Sequence, residues 1–321
     1  MAEYAGVDLG ATKIRTAVGT ADRTVVGEDR RPTPQAETGI EVTEAVLDSL
    51  RAACAAGNVP PERLQAVGVG SFGPLDLAAG AIVRPANLPD SVSEIPLQRP
   101  IESLVGEGRV KLQNDTVAGV IAERTYGAHN PDDMVYLTMS SGIGAGVCVD
   151  GRILNGWDGN AGEVGHLTLD PNGAMTCGCG SPGHWEAYCS GENIPRYARY
   201  LHEAEGHVTD MSLDVLTAAD VFAAEDDPLA ERVIDRLAHW NTLGVANLVD
   251  AYAPLVVVVG GAVAVNNPEQ VLDPIRDRLE DHVVANVPEV RLTDLGEAVV
   301  VKGALASVTP EQSHETGQLQ D

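Results

Sequence analysis

Four side chains with soft ligand atoms fall within one short stretch of this 321-residue chain. They are His166, Cys177, Cys179 and His184, in the run EVGHLTLDPNGAMTCGCGSPGHWE from Glu163 to Glu186. Thiolate and imidazole suit tetrahedral zinc, and Cys-x-Cys spacing lets two thiolates reach one ion. Two carboxylates, Glu163 and Glu186, bracket the set. The stretch reads as a loop pinned by a structural zinc, whose acidic residues and histidine hold a polyhydroxylated substrate. A glycine-rich surface loop with free cysteines is the alternative. Against it, three of the five cysteines lie between positions 177 and 189.

A second chemical feature is the pair Asn114-Asp115. The strand-like VKLQ precedes it and the helix-like TVAGVIAERTYG follows at once. Asp115 is thus placed at a strand-to-helix junction, where α/β folds carry reactive groups. The positive end of the helix dipole favours its ionised form. Two glycine-rich turns offer backbone and hydroxyl donors suited to phosphate: Asp8-Leu9-Gly10-Ala11-Thr12-Lys13, and Ser140-Ser141-Gly142-Ile143-Gly144-Ala145-Gly146. Neither is the GxxxxGK[ST] phosphate loop. Gly260-Gly261, after a run of four valines, admits two readings: close approach of an adenine ring, or a tight strand-to-helix turn.

The elements that must position these residues repeat. Residues 4–28 read as a hairpin with a third strand, and 135–154 repeat that scheme. The expectation is a duplicated α/β architecture with a cleft between the halves. A helix is expected over 41–56, a strand at AVGVGS, and a loop over 80–98 containing Pro85-Ala86-Asn87-Leu88-Pro89. Helices are expected near 191–204, 217–224, 228–249 and 268–280, with a buried strand over 254–261. EAVVVKGALASV reads as a helix returning to the first half. The domains expected are a small lobe of 1–116 plus about 298–310, a large lobe of 117–297 carrying the zinc loop, and a flexible tail over 311–321. Trp157 and Trp240 are expected as packing residues, Trp185 as a wedge in the loop, and the remaining histidines as filler.

Composition narrows the function class. Forty-seven acidic residues stand against 21 basic ones, a net charge of −26, and only Lys13, Lys111 and Lys302 are lysines. Such self-repulsion destabilises a compact state in dilute salt, but at 1 M salt the Debye length is only about 3 Å. A halophilic, salt-filled cytoplasm is inferred. Nucleic-acid binding is disfavoured without a basic patch to displace counterions. Neither a membrane span nor a secretory signal is read in the chain, and the cysteines do not form a disulfide framework.

The residues resemble the ROK family of sugar kinases over nearly the whole chain. The marks are DLGATK at 8–13, PANLP at 85–89, ND at 114–115, SSGIGAG at 140–146, EVGH at 163–166, CGCGSPGHWE at 177–186 and VVGGAV at 258–263. The resemblance implies a two-lobed, actin-like (ribonuclease-H-like) ATPase fold and, most closely, a glucokinase. It implies that Asp115 is the base toward the sugar 6-hydroxyl. Asn87, Asn114, Glu163, His166 and Glu186, with Asp115, would hold the sugar. Asp8, Gly10, Thr12, Lys13, Ser141, Gly142, Gly144, Gly260 and Gly261 would hold ATP, with Mg2+ assisting. Zinc would sit on His166, Cys177, Cys179 and His184. Two departures stand out: His184 replaces the family's third cysteine, with Cys189 as a substitute ligand in reserve, and Ala11 replaces a glycine. Phosphoryl transfer asks the protein for positioning and charge stabilisation rather than covalent chemistry, and these residue types supply both. A homodimer or homotetramer is the expected assembly.

Other sugars (fructose, mannose, N-acetylglucosamine, N-acetylmannosamine) stay open as substrates, as do ADP or polyphosphate as donors. A sugar-sensing regulator of the same family is disfavoured, because the first hairpin begins at Tyr4 with no helix-turn-helix before it.

Overall fold

The computed structural model describes residues 2–310 apart from 36, 86–88, 90, 128, 129 and 225. It divides into two units, one running to Ala118 and resuming at Val300, the other spanning Gly119–Val299. The segment 311–321, expected as a tail, lies outside the described residues, as does Asn87.

In the first unit, strands β1 (Glu3–Leu9), β2 (Lys13–Thr20), β3 (Val25–Pro32), β4 (Leu64–Ser71) and β8 (Val110–Asn114) form one sheet in the order β3-β2-β1-β4-β8. The hairpin strands pair antiparallel and β1, β4 and β8 pair parallel. Their register sets Leu9 beside Ser71 and Ser71 beside Asn114, so all three strands end at one edge. Helix α1 (Gly39–Ala56) buries Val42, Val46, Leu50 and Ala53 at helical spacing against this sheet. The helix that closes the chain, Val299–Ala306, lies on β1 and β4 where Gly6 and Gly68 are neighbours. A Cβ on Gly68 would sit 2.0 Å from the Ala304 carbonyl oxygen, so this close approach requires glycine.

The stretch 80–98, expected as a loop, contributes β6 (Ala81–Val83) and β7 (Glu94–Pro96). With β5 (Leu75–Asp76) these make a three-stranded antiparallel sheet. Strands of two or three residues are too short to display an alternating pattern, so nothing in the sequence announced them. Helix α2 (Gln98–Val105) follows, and α3 (Asp115–Tyr126) starts directly at the end of β8.

The second unit repeats the first unit's sheet. Strands β9 (Met134–Met139), β10 (Ile143–Val149), β11 (Arg152–Ile153), β12 (Val256–Gly260) and β13 (Glu289–Leu292) lie in the order β11-β10-β9-β12-β13, again antiparallel at the hairpins and parallel beyond. The four valines of β12 are 0–5% exposed, the continuous apolar run of a parallel strand covered on both faces. Helices α4 (Glu186–Cys189), α5 (Ile194–Glu205), α6 (Ala218–Ala223) and α7 (Pro228–Tyr252) lie between β11 and β12, and α8 (Ala262–Asn266) and α9 (Pro268–Arg278) follow β12. Asp227 caps α7 by accepting the Leu229 and Ala230 amides, each at 3.0 Å. Trp157, expected to pack, is 97% exposed instead. It stands in a turn at 156–158, where no apolar layer faces it. Among the described residues, no helix is long and apolar enough to cross a membrane.

Candidate active site

In the second unit the four soft ligands converge. One ligand atom from each of His166, Cys177, Cys179 and His184 lies within 4.8 Å of the others. His166 Nδ1 is 3.3 Å from His184 Nδ1 and 3.7 Å from Cys177 Sγ; Cys179 Sγ is 3.3 Å from His184 Nδ1. Bonds of about 2.0–2.1 Å to nitrogen and 2.3 Å to sulfur around a tetrahedral zinc separate its ligands by about 3.3–3.8 Å. The set fits a metal of that class. Burial pushes the Cys177 thiol up to about 12 without an ion, and pushes His184 down, helped by His166 and opposed by Glu186. A neutral imidazole is the form that ligates. Cys189 is not in reserve: it is fully buried in α4 with Sγ donating to the Leu237 carbonyl at 3.9 Å.

The core holds this loop from behind. Trp185 is fully buried, its Nε1–H donating to Asn241 Oδ1 at 2.9 Å, and its ring fills the place a side chain at Gly244 would need. Asp170, which the sequence analysis did not single out, ties the connecting turn. Its carboxylate accepts the Asn172 and Ala174 amides at 2.9 Å and the Tyr188 hydroxyl at 2.6 Å. Burial raises its pKa, but these hydrogen bonds outweigh that and hold it below the usual range. The signal was present as Asp-Pro-Asn-Gly, a turn sequence whose first carboxylate accepts the amides that follow.

Three expected sugar-side groups border the cluster. His166 turns Nδ1 inward, and its Nε2 lies 3.7 Å from Glu163 Oε2. Glu163 keeps 44% of its side chain exposed. Loss of hydration, then the charge of Glu186, push its carboxyl up against the pull of His166, and water screens much of this. Glu186 opens α4 with Oε1 3.7 Å from Cys177 Sγ, while Oε2 accepts the Ile143 amide at 2.9 Å.

That last bond reaches the second glycine turn, where Ser141 and Gly142 lie between β9 and β10 and Gly144 is near the start of β10. Ser140 N–H closes the turn on the Gly142 carbonyl at 2.9 Å. Gly260 ends β12 beside Thr138 of β9, and Gly261 follows as the N-cap of α8. A Cβ at Gly260 would lie 2.5 Å from the Tyr136 hydroxyl, and Gly261 has φ +87° with Met139 backbone against it. Packing and backbone conformation thus demand both glycines, which is the tight-turn reading.

In the first unit, Gly10 N–H donates to the Lys13 carbonyl at 2.9 Å, and Thr33 holds the turn by donating twice: its N–H to the Thr12 carbonyl at 3.0 Å and its hydroxyl to the Gly10 carbonyl at 2.7 Å. Thr12 and Lys13 are exposed; Asp8 is buried, 3.5 Å from Arg15 Nη1. Ala11 is not among the residues with positive φ, so its departure from glycine carries no backbone cost. Asn114 is buried, and its Oδ1 accepts both the Thr116 amide at 2.9 Å and the Thr116 hydroxyl at 2.8 Å. That oxygen is therefore committed to starting α3. Asp115 is half-buried on the first turn of α3.

Of the histidines taken as filler, His202 and His207 have partners. His202 Nδ1 is 2.7 Å from the His207 carbonyl, and His207 Nε2 is 3.0 Å from Glu205, which also binds Arg232.

The ROK family model matches residues 4–309. The chain is 35% identical over 323 residues to a glucokinase of Aeropyrum pernix, covering 95% of this chain and 96% of that one. The crystal structure of a ROK hexokinase from Thermus thermophilus superposes with a TM-score of 0.80 at 35% identity, covering 95% and 97% of the two chains. A ROK family glucokinase from Streptomyces griseus, solved in complex with glucose and AMPPNP, gives 0.77 at 29% identity, covering 95% and 98%.

Proposed function

The chain belongs to the ROK family, and on that premise we propose that it transfers the γ-phosphoryl group of ATP to the 6-hydroxyl of glucose. The similar Streptomyces griseus enzyme was solved with both glucose and an ATP analogue, and the Aeropyrum pernix relative is a glucokinase. The observation that carries the reading is the double use of His166. One ring nitrogen faces the four-ligand cluster and the other faces Glu163, so a metal fixed on the first presents the second to a hydroxyl-rich ligand.

Zinc on His166, Cys177, Cys179 and His184 would be structural, since all four positions of a tetrahedron are taken by protein. Glu163, His166 and Glu186 accept from and donate to sugar hydroxyls, with Asn87 and Asn114 assigned alongside them. Asn114 Oδ1 accepts from the Thr116 amide and hydroxyl, which fixes this side chain at the head of α3. Asp115, at the start of α3, takes the proton as the 6-hydroxyl attacks; such a base contributes typically 10²–10⁴-fold. The turns carrying Asp8, Gly10, Thr12, Lys13, Ser141, Gly142 and Gly144 hold the nucleotide phosphates, where Mg2+ supplies neutralising charge. Gly260 and Gly261 carry a structural demand first, with the adenine side second.

Phosphorylation measured over glucose, fructose, mannose, N-acetylglucosamine and N-acetylmannosamine, with ATP, ADP or polyphosphate in molar salt, tests the assignment. Glucose with ATP should give the highest kcat/KM. Preference for an N-acetylated sugar would move the substrate class, and preference for polyphosphate would move the donor.

A further inference from the structure

Glu186 touches the glycine turn assigned to the nucleotide, and we propose that it is a positioning residue for that turn as well as a ligand for the sugar. The inference rests on the kinase reading above. Its ground is that hydrogen bonds tie residues 140–146 to the metal-bearing stretch and to the residues flanking it. The Ala145 amide donates to the Gly162 carbonyl at 2.8 Å, and the Gly191 amide donates to the Ser140 carbonyl at 2.7 Å. Between these flanking ties, Glu186 Oε2 accepts the Ile143 amide at 2.9 Å. The fit leaves no slack: a Cβ at Gly142 would lie 2.8 Å from Glu186 Oε2, and one at Gly162 would lie 1.9 Å from the Ala145 carbonyl oxygen.

The middle tie differs in kind from the other two. The flanking bonds are backbone to backbone and neutral, and in the first glycine turn Thr33 likewise donates from neutral groups, its amide and its hydroxyl. The Ile143 amide is held by a carboxylate, and hydrogen bonds to charged groups are roughly twice as strong as neutral ones. This has two opposing consequences. The bond orients Gly142 and Ile143, which preorganises the remaining donors of the turn for phosphate. It also sets a negative charge beside a site for an anionic ligand, which opposes phosphate. The two effects separate by substitution: Glu186→Gln keeps an acceptor for Ile143 and removes the charge, while Glu186→Ala removes both.

The test is nucleotide binding without sugar, read by calorimetry with AMPPNP and Mg2+ on wild type, Glu186→Gln and Glu186→Ala. Metal content and circular dichroism of each variant establish that the fold is kept. Glu186→Ala should weaken the sugar-free nucleotide Kd by roughly tenfold, the equivalent of about 1.4 kcal/mol, and Glu186→Gln should restore it to wild type or tighter. Both variants should raise the KM for glucose. If Glu186 serves the sugar alone, the nucleotide Kd is the same in all three proteins, and the positioning role is overturned while the kinase reading stands. If wild type itself binds no nucleotide, the kinase reading falls and takes this inference with it.

Discussion

The Nδ1 atoms of His166 and His184 face each other across 3.3 Å, on rings 67° apart, with the sulfurs of Cys177 and Cys179 on either side. A single proton can bridge two imidazole nitrogens, whereas four electron-rich atoms converging on one point could hold a cation. Position 184 carries a histidine where the family's pattern has a cysteine. His184 turns its near nitrogen, Nδ1, to within 3.3 Å of both His166 Nδ1 and Cys179 Sγ, the placement a substitute for that cysteine needs.

Purified protein should therefore carry one zinc per chain by elemental analysis. His184→Cys, which restores the commoner three-cysteine set, should retain it, whereas Cys179→Ala should lose it. Apparent binding energies of roughly 10–16 kcal/mol for structural zinc at neutral pH mean that loss should also lower Tm markedly. Wild type free of zinc after metal-replete expression would remove the metal from the account.

Asp170 should behave as a stability residue with no direct catalytic part. It is 6% exposed and accepts three hydrogen bonds, so Asp170→Asn should cost about 1–3 kcal/mol in chemical denaturation. Its carboxyl pKa is lowered in the fold. The stability it gives is therefore fully present above the ordinary carboxylate range and lost as pH falls through its folded value. The wild-type minus variant difference in unfolding free energy should shrink below about pH 4. A difference that grows on acidification would contradict this.

Asp115→Asn keeps the shape of the first turn of α3 and removes the base. Glucose affinity should change little, while kcat should fall by about 10²–10⁴-fold. Equal kcat in the variant would take the base role from Asp115 and leave it a binding residue.

A net charge of −26 should make stability climb with salt. The Debye length shrinks from about 10 Å at 0.1 M to about 3 Å at 1 M, which removes repulsion between dispersed carboxylates. Tm should rise steadily over that range in KCl, and a flat or falling Tm would overturn the inferred adaptation to a salt-filled cytoplasm.

Legibility in the sequence followed the range of each interaction. The doubled hairpins were readable because β-branched runs flank glycine turns, and the two five-stranded sheets repeat that scheme down to strand order. The strand-to-helix junction at Asn114-Asp115 was readable because helical spacing starts at once. The metal set was readable because all four ligands lie within 19 residues of chain. The small sheet of β5, β6 and β7 was not, since its strands are too short to show alternation. Nor was the bond from Glu186 to Ile143, which joins a carboxylate to a backbone amide 43 residues away. A backbone donor has no residue type, so no motif can advertise it. Trp157 misled for the opposite reason: its type favours burial, but its turn gives it nothing to be buried against.

The central claim is phosphoryl transfer from ATP to the glucose 6-hydroxyl. The most direct measurement is the phosphorus magnetic resonance spectrum of a reaction of pure protein with ATP, Mg2+ and glucose in molar KCl. The account predicts glucose 6-phosphate and ADP formed one to one, and no ADP when glucose is omitted. ADP formation that ignores glucose, or phosphate appearing on another sugar oxygen, would contradict it.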